Sequence, residues 1–204
     1  MLPSLDAVIN SAPSDPNSPL SLTLSTLFES SSILQNKLVP QLHDVLQSSN
    51  PPISTYAQLI DLAIDQLSTW DHESQSKFIS GHPRIGETKN LSKLSAKEQN
   101  ATPSAAGTTP PEVLARLAHL NGCYEKRYPG LVYIIFVNGR SRAAVAEIME
   151  AQLGLEHSLS PDTPAVDSIE PVQVGGEDWT SELNRAVRDV SLIAKSRLKA
   201  LGVE

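Results

Sequence analysis

The run Leu131-Val-Tyr-Ile-Ile-Phe-Val137 decides the fold class, because it is the most β-prone stretch of the chain. Its branched and aromatic side chains suit a pleated, half-buried surface, and Asn138-Gly139 closes it as a turn signal. A strand needs a partner for its backbone, and no other segment is comparably β-branched. The run is therefore read as a buried extended segment or the start of a helix, and the chain as all-α.

Helical periodicity on both sides supports that reading. Upstream, Pro110-Pro111 opens a helix with apolar positions at Val113, Leu114, Leu117, Leu120 and Tyr124. Downstream, Ser141–Leu153 carries Val145, Ile148, Met149 and Leu153 on one side. The clearest amphipathic stripe in the first half is Tyr56, Leu59, Ile60, Ala63, Leu67 and Trp70, with Ser54 as its expected cap. Before it stand Leu20–Phe28 and Ile33–Leu46, the latter expected to be kinked or split at Pro40. Asp71–Ser80 forms a short helix expected to close on Gly81 as a C-cap. The last helix, Trp179–Leu201, places Leu183, Ala186, Val190 and Ile193 on one stripe, and continuing that spacing lands on Arg197. The expected architecture is a single-domain bundle of about eight helices with irregular loops and no internal repeat. Residues 1–19, with Pro3, Pro13, Pro16 and Pro19, read as a loose arm carrying at most a turn at Leu5–Ile9. Residues 155–176, with three prolines and two glycines, read as a surface insertion.

Composition narrows the function classes. The 204 residues are 40% hydrophobic and 19% charged, which suits a globular core. A net charge of -7 with no basic cluster argues against nucleic acid as a partner. No apolar run approaches bilayer length, so no membrane partner is expected, and the N-terminus lacks the features of a secretory signal. The single cysteine, Cys123, cannot form an internal disulfide. The C-terminal LGVE is not of the Ser-Lys-Leu type, which leaves a peroxisomal or cytoplasmic location as the expectation.

Chemistry concentrates in Gly81–Gln99, GHPRIGETKNLSKLSAKEQ. Pro83 forbids helix at His82 and stiffens it at a helix-to-loop junction. His82 is then either an imidazole presented to a cleft or a surface histidine in a turn. Ser95-x-x-Glu98 has the spacing of a capping box, and a helix start there also offers amide groups to an anion, with Gln99 adding a donor and an acceptor. Arg197 on an apolar stripe needs a partner: an anionic ligand, an internal carboxylate, or water at the rim. Arg140 and Arg142 at a helix start oppose its dipole, for a substrate carboxylate or for solvent. His119 and Cys123 share a helix face but lack further metal ligands nearby in sequence, so they read as packing residues and no metal is expected. No nucleophile elbow, phosphate loop or dinucleotide fingerprint is present, and a cofactor-free site is the economical reading.

Several motifs occur together in order. They are Leu27-Phe28-Glu29-Ser30-Ser31, His82-Pro83, Ser95-x-x-Glu98-Gln99, Leu120-Asn121-x-x-Tyr124, Tyr133-Ile134-Ile135, Asn138-Gly139-Arg140-Ser141 and Ser196-Arg197-Leu198. In this set the chain resembles the 2-oxo-4-hydroxy-4-carboxy-5-ureidoimidazoline decarboxylases, which complete the conversion of urate to (S)-allantoin. The resemblance implies a cofactor-independent, all-α lyase acting on a small-molecule substrate, with a homodimer as the usual assembly. It implies His82 as proton donor, Glu98 as its partner carboxylate and Arg197 as the cation for the anionic substrate. It also implies substrate-binding roles for Pro83, Ser95, Gln99 and Arg140, with backbone groups of Val132, Ile134, Ile135 and Phe136 lining the pocket. The runner-up reading is a non-catalytic helical binding protein that keeps the same scaffold.

Overall fold

The computed structural model describes residues 1–12, 15–88, 91–100 and 109–203, with the backbone alone at Gln99 and Asn100. Among the described residues there is no strand. The helices are α1 (Leu5–Ile9), α2 (Pro19–Phe28), α3 (Val39–Ser48), α4 (Tyr56–Ser68), α5 (His72–Ile79), α6 (Lys93–Asn100), α7 (Pro111–Arg127), α8 (Arg142–Leu153) and α9 (Glu177–Leu201). A π-helical turn, Leu34–Leu38, leads into α3, and a short 3-10 turn covers Val166–Ser168. Their contacts sort them into two compact units, residues 1–82 with 187–204 and residues 83–186.

In the first unit the apolar stripes face inward. Leu20, Leu24 and Leu27 of α2, Leu42 of α3, and Leu59, Ile60 and Leu67 of α4 are fully buried. A leucine buried in this way contributes about 1.5–3 kcal/mol. The expected break at Pro40 takes a definite form. Proline lacks an amide donor and crowds the preceding turn, and the chain meets this by widening to the π turn immediately before Val39. The segment read as a loose arm carries α1 where a turn was expected. Ser4 caps it, Val8 is wholly buried, Gln47 Nε2 donates to Ile9 O at 2.8 Å, and the Tyr56 hydroxyl donates to Pro3 O.

Two cap assignments need correction. The cap of α4 is Thr55, not Ser54: Thr55 Oγ1 accepts from Gln58 N, and Gln58 Oε1 accepts from the Thr55 amide, a complete capping box. Ser54 supports it from one residue away by donating its amide to the same Gln58 oxygen at 2.7 Å. Gly81 does not cap α5 in a left-handed conformation. The helix closes through Ser80 in right-handed geometry, and Gly81 is required for closeness, because a Cβ there would lie 3.0 Å from Ser31 Cβ.

In the second unit α7 packs along α8, burying Leu117, Leu120, Tyr124, Val145 and Met149. The 131–137 run is extended and has no sheet around it; Leu131, Tyr133 and Ile134 are buried. Its end is a tight reversal. Asn138 and Gly139 both take positive φ (47° and 76°), and Arg140 N donates to Val137 O at 3.0 Å. No residue of 155–176 is buried. That segment is nevertheless tied to α7: Arg116 donates to the carbonyls of Ser160 and Thr163, and Arg127 O accepts from Val172 N. Arg116 is held by the equally buried Glu150 at 2.7 Å. The small, Pro/Thr-rich stretch Ala101–Thr109 reads from sequence as exposed, and its residues 101–108 lie outside the described residues.

The cap correction has a measurable consequence. Thr55→Ala removes an N-cap acceptor and costs about 1 kcal/mol in urea unfolding, whereas Ser54→Ala, which leaves the box intact, costs less than half of that, roughly 0.5 kcal/mol at most.

Candidate active site

His82 is built into the first unit by the end of α5. Its amide donates to Ile79 O at 2.9 Å, which continues the helical turn, and Pro83 then stops it. The imidazole sits 6.2 Å from the Phe78 ring, edge to face, and Phe78 packs on Phe28 (5.8 Å) and Trp70 (6.0 Å). His82 is thus a buried residue, 6% exposed, and not a histidine in a surface turn. Neither ring nitrogen has a hydrogen-bond partner among the described residues. Buried polar groups are normally paired, so an unpaired imidazole at the edge of an aromatic cluster is a candidate functional group.

Arg197 comes from α9 and is 2% exposed. Its Nη2 donates to Glu29 Oε1 at 2.7 Å, and its Nη1 donates to Thr26 O (3.2 Å) and Leu27 O (3.3 Å). Those carbonyls end α2, where a cation offsets the negative pole of the helix. The interruption of the apolar stripe therefore has an internal explanation: Arg197 closes α2 and forms a buried ion pair. Glu29, quoted within a motif but assigned no role, is the residue that sequence reasoning missed.

These charges act on His82. Burial first, and the nearby Arg197 guanidinium second, push its pKa down from 6.5 to about 4, against a smaller opposing effect of Glu29. The resting imidazole is neutral at pH 7.

The other sequence-nominated residues belong to the second unit. Ser95 is buried on α6, but it is not the cap. The helix begins at Lys93, and Ser92 Oγ accepts from Ser95 N at 3.1 Å, so Ser92 performs the capping and Ser95 lies inside the first turn. Ser95 and Glu98 are then neighbours one turn apart, and the expected capping box between them does not form. The Gln99 side chain lies outside the described residues. Arg140, exposed, folds back to donate to the carbonyls of Phe136 and Val137, which ends the extended segment. Pro83, Val132, Ile135 and Phe136 are half-buried and Ile134 is buried. Asn121 holds the loop after Pro83 by donating to Ile85 O at 3.0 Å.

A second polar centre escaped sequence reasoning altogether. Glu182 on α9, buried, accepts from Tyr124 Oη and Gln152 Nε2, both at 2.6 Å, and pairs with Arg185 at 2.6 Å. Arg185 lies 5.2 Å from the centre of the Tyr133 ring, and so braces the extended segment from one side. Burial and the Glu182 carboxylate push the Tyr124 hydroxyl far above its ordinary range, so it stays protonated and donates to Glu182. His119 and Cys123 touch each other at 3.3 Å, and among the described residues no group of three potential ligands could hold a metal.

Among the described residues, then, the chain is helical and carries a buried imidazole on which a fixed cation acts. Comparison places it further. A family model described as OHCU decarboxylase matches residues 16–162, and the chain belongs to that family. It is therefore a decarboxylase, a carboxy-lyase acting on a small-molecule substrate in urate degradation. The match takes in His82, Ser95, Glu98 and the 131–140 region, and ends before α9. No curated protein matches the chain.

The electrostatics of His82 give a stability signature. The unfolded chain takes up a proton on this histidine below about pH 6.5, while the folded chain resists until about pH 4. Stability is lost as pH falls through that window, by about 3 kcal/mol at full extent. Between about pH 7 and pH 4.5 the melting temperature of the native protein should therefore fall more steeply than that of His82→Gln. Equal slopes would show that His82 titrates alike in both states.

Proposed function

We propose that the protein decarboxylates 2-oxo-4-hydroxy-4-carboxy-5-ureidoimidazoline to (S)-allantoin, without a cofactor and as a homodimer. The observation that carries the reading is His82: buried, unpaired at both ring nitrogens, and under the field of Arg197, on the His-Pro motif within the family match.

The chemistry follows from charge. Breaking the bond to the carboxyl carbon releases neutral CO2 and leaves an electron pair on the ring carbon, where it spreads as an enolate-like anion. A fixed cation and hydrogen-bond donors stabilise that charge, and one positioned acid delivers a proton to one face. In this reading Arg197 supplies the cation, and His82 supplies the proton, which it later recovers from solvent. The resting imidazole is neutral because burial and Arg197 disfavour its charge. A substrate carboxylate drawn to Arg197 offsets that guanidinium and favours the imidazolium, so binding itself loads the acid. Delivery to one face gives a single enantiomer. The roles of Glu98 as partner carboxylate, of Pro83, Ser95, Gln99 and Arg140 in substrate binding, and of the Val132–Phe136 backbone as pocket wall rest on the resemblance. So does the substrate role of Arg197, which lies beyond the matched residues.

The test couples urate, urate oxidase and the following hydrolase to the purified protein and follows chiral allantoin by circular dichroism. The protein should accelerate the dichroic signal; a rate unchanged by its addition would sink the proposal. His82→Asn should lower kcat by about 10²-fold or more with its helical signal intact. Glu98→Gln should also lower kcat. A shift in its melting temperature with unchanged turnover would favour the scaffold-only binding protein. Sedimentation at micromolar concentration reads the assembly, and a monomer would remove the dimer from the proposal.

A further inference from the structure

Glu29 occupies an unusual place. It follows the last residue of α2 and is 9% exposed, with φ 65° and ψ 149°, a region that residues bearing a Cβ seldom adopt. Such conformations persist where surrounding contacts over-determine them, and they gather at sites with a task. Its chain neighbour Phe28 is packed on Phe78 in the aromatic cluster, and its own carboxylate is paired with the Arg197 guanidinium. Arg197 is held at two nitrogens by different acceptors, Nη2 by the Glu29 carboxylate and Nη1 by the Thr26 and Leu27 carbonyls. A planar guanidinium gripped in this way keeps one orientation. The same cation acts on His82, and Glu29 is the carboxylate acting against it; the remaining influences are burial and the carbonyls of Phe78 and Ile79.

We propose, on the decarboxylase reading above, that Glu29 is a positioning residue: it fixes the Arg197 guanidinium beside His82 and balances its charge, so that an anionic substrate meets a cation of set direction. Simple closure of α2 would not need a carboxylate. The Thr26 and Leu27 carbonyls already receive the arginine, and a helix end can finish on solvent or on a glycine. What the carboxylate adds is charge next to an imidazole and direction to a guanidinium.

The experiment uses the full chain, with Glu29→Gln and Glu29→Asp, and reads three quantities: the titration midpoint of the His82 ring by nitrogen NMR, kcat and KM. Loss of the carboxylate removes the negative charge that Glu29 sets against Arg197. In Glu29→Gln the His82 midpoint should move to lower pH, KM should fall because the cation, no longer opposed by the Glu29 carboxylate, holds the anionic substrate more tightly, and kcat should fall about tenfold or more as its direction is lost. Glu29→Asp keeps the charge on a shorter arm and should lie between the native protein and Glu29→Gln on all three. An unmoved midpoint with unchanged KM in either folded variant, even with lower stability or uniformly reduced turnover, would overturn the proposal and leave Glu29 as structural. If the native protein forms no allantoin, the reading under Proposed function fails by itself, and the NMR titration still decides whether Glu29 sets the environment of His82. Should Glu29→Gln fail to fold, Glu29→Asp carries the same readouts, and an unmoved midpoint there counts against the proposal.

Discussion

The buried pair of Arg197 and Glu29 is the interaction on which the first unit depends. Taking a guanidinium and a carboxylate out of water is costly, and their attraction offsets that cost only when the remaining donors and acceptors are also satisfied. Here the end of α2 meets part of that need by lending two carbonyls to the guanidinium, so that one side chain closes a helix and neutralises a buried charge. The arrangement has a consequence for His82. A cation that cannot leave depresses the imidazole, and the aromatic packing of Phe28, Trp70 and Phe78 withholds water from it. The outcome is an imidazole that is neutral at rest.

The second unit solves a different problem. An extended run with no sheet must satisfy its backbone by other means and must be held straight by its neighbours. The sequence 131–137 is closed at one end by the Asn138-Gly139 reversal and by Arg140, whose donors reach the carbonyls of Phe136 and Val137. Tyr133 along the run lies under Arg185, which is paired with Glu182, the carboxylate that also accepts from Tyr124 and Gln152. A hydrogen-bonded, largely buried network of this kind is rigid and holds the run in place. The residues 155–176 add a further restraint from outside, through backbone carbonyls that take up the donors of Arg116.

Much of the local structure was legible because it is local. The stripe Tyr56 to Trp70, the helix opened by Pro110-Pro111, and the stripe of α9 follow from spacing, and their apolar positions are predominantly buried. The misreadings share one cause: cap rules weigh residue types within a few positions and do not see which hydroxyl the backbone reaches. At α4 the box forms one residue later, at Thr55, because Gln58 rather than Ser54 sets the geometry. At α6 the helix starts earlier, at Lys93, so Ser92 takes the task expected of Ser95. At Gly81 the glycine answers to Ser31, fifty positions away in sequence, and not to the helix it follows.

Sequence by itself determined the all-helical class, because a β-prone run without a partner cannot make a sheet. It also nominated His82, because proline fixes the backbone of the residue before it, and it noticed Arg197, because a charge on an apolar stripe demands a partner. Tertiary structure alone decided what that partner is. Glu29 and Arg197 are separated by most of the chain, and no periodicity connects a residue just past one helix with the face of another. The buried state of His82, its two unpaired nitrogens and its depressed pKa are likewise properties of packing. They arise where distant elements exclude water together, a condition that residue types and spacing do not encode.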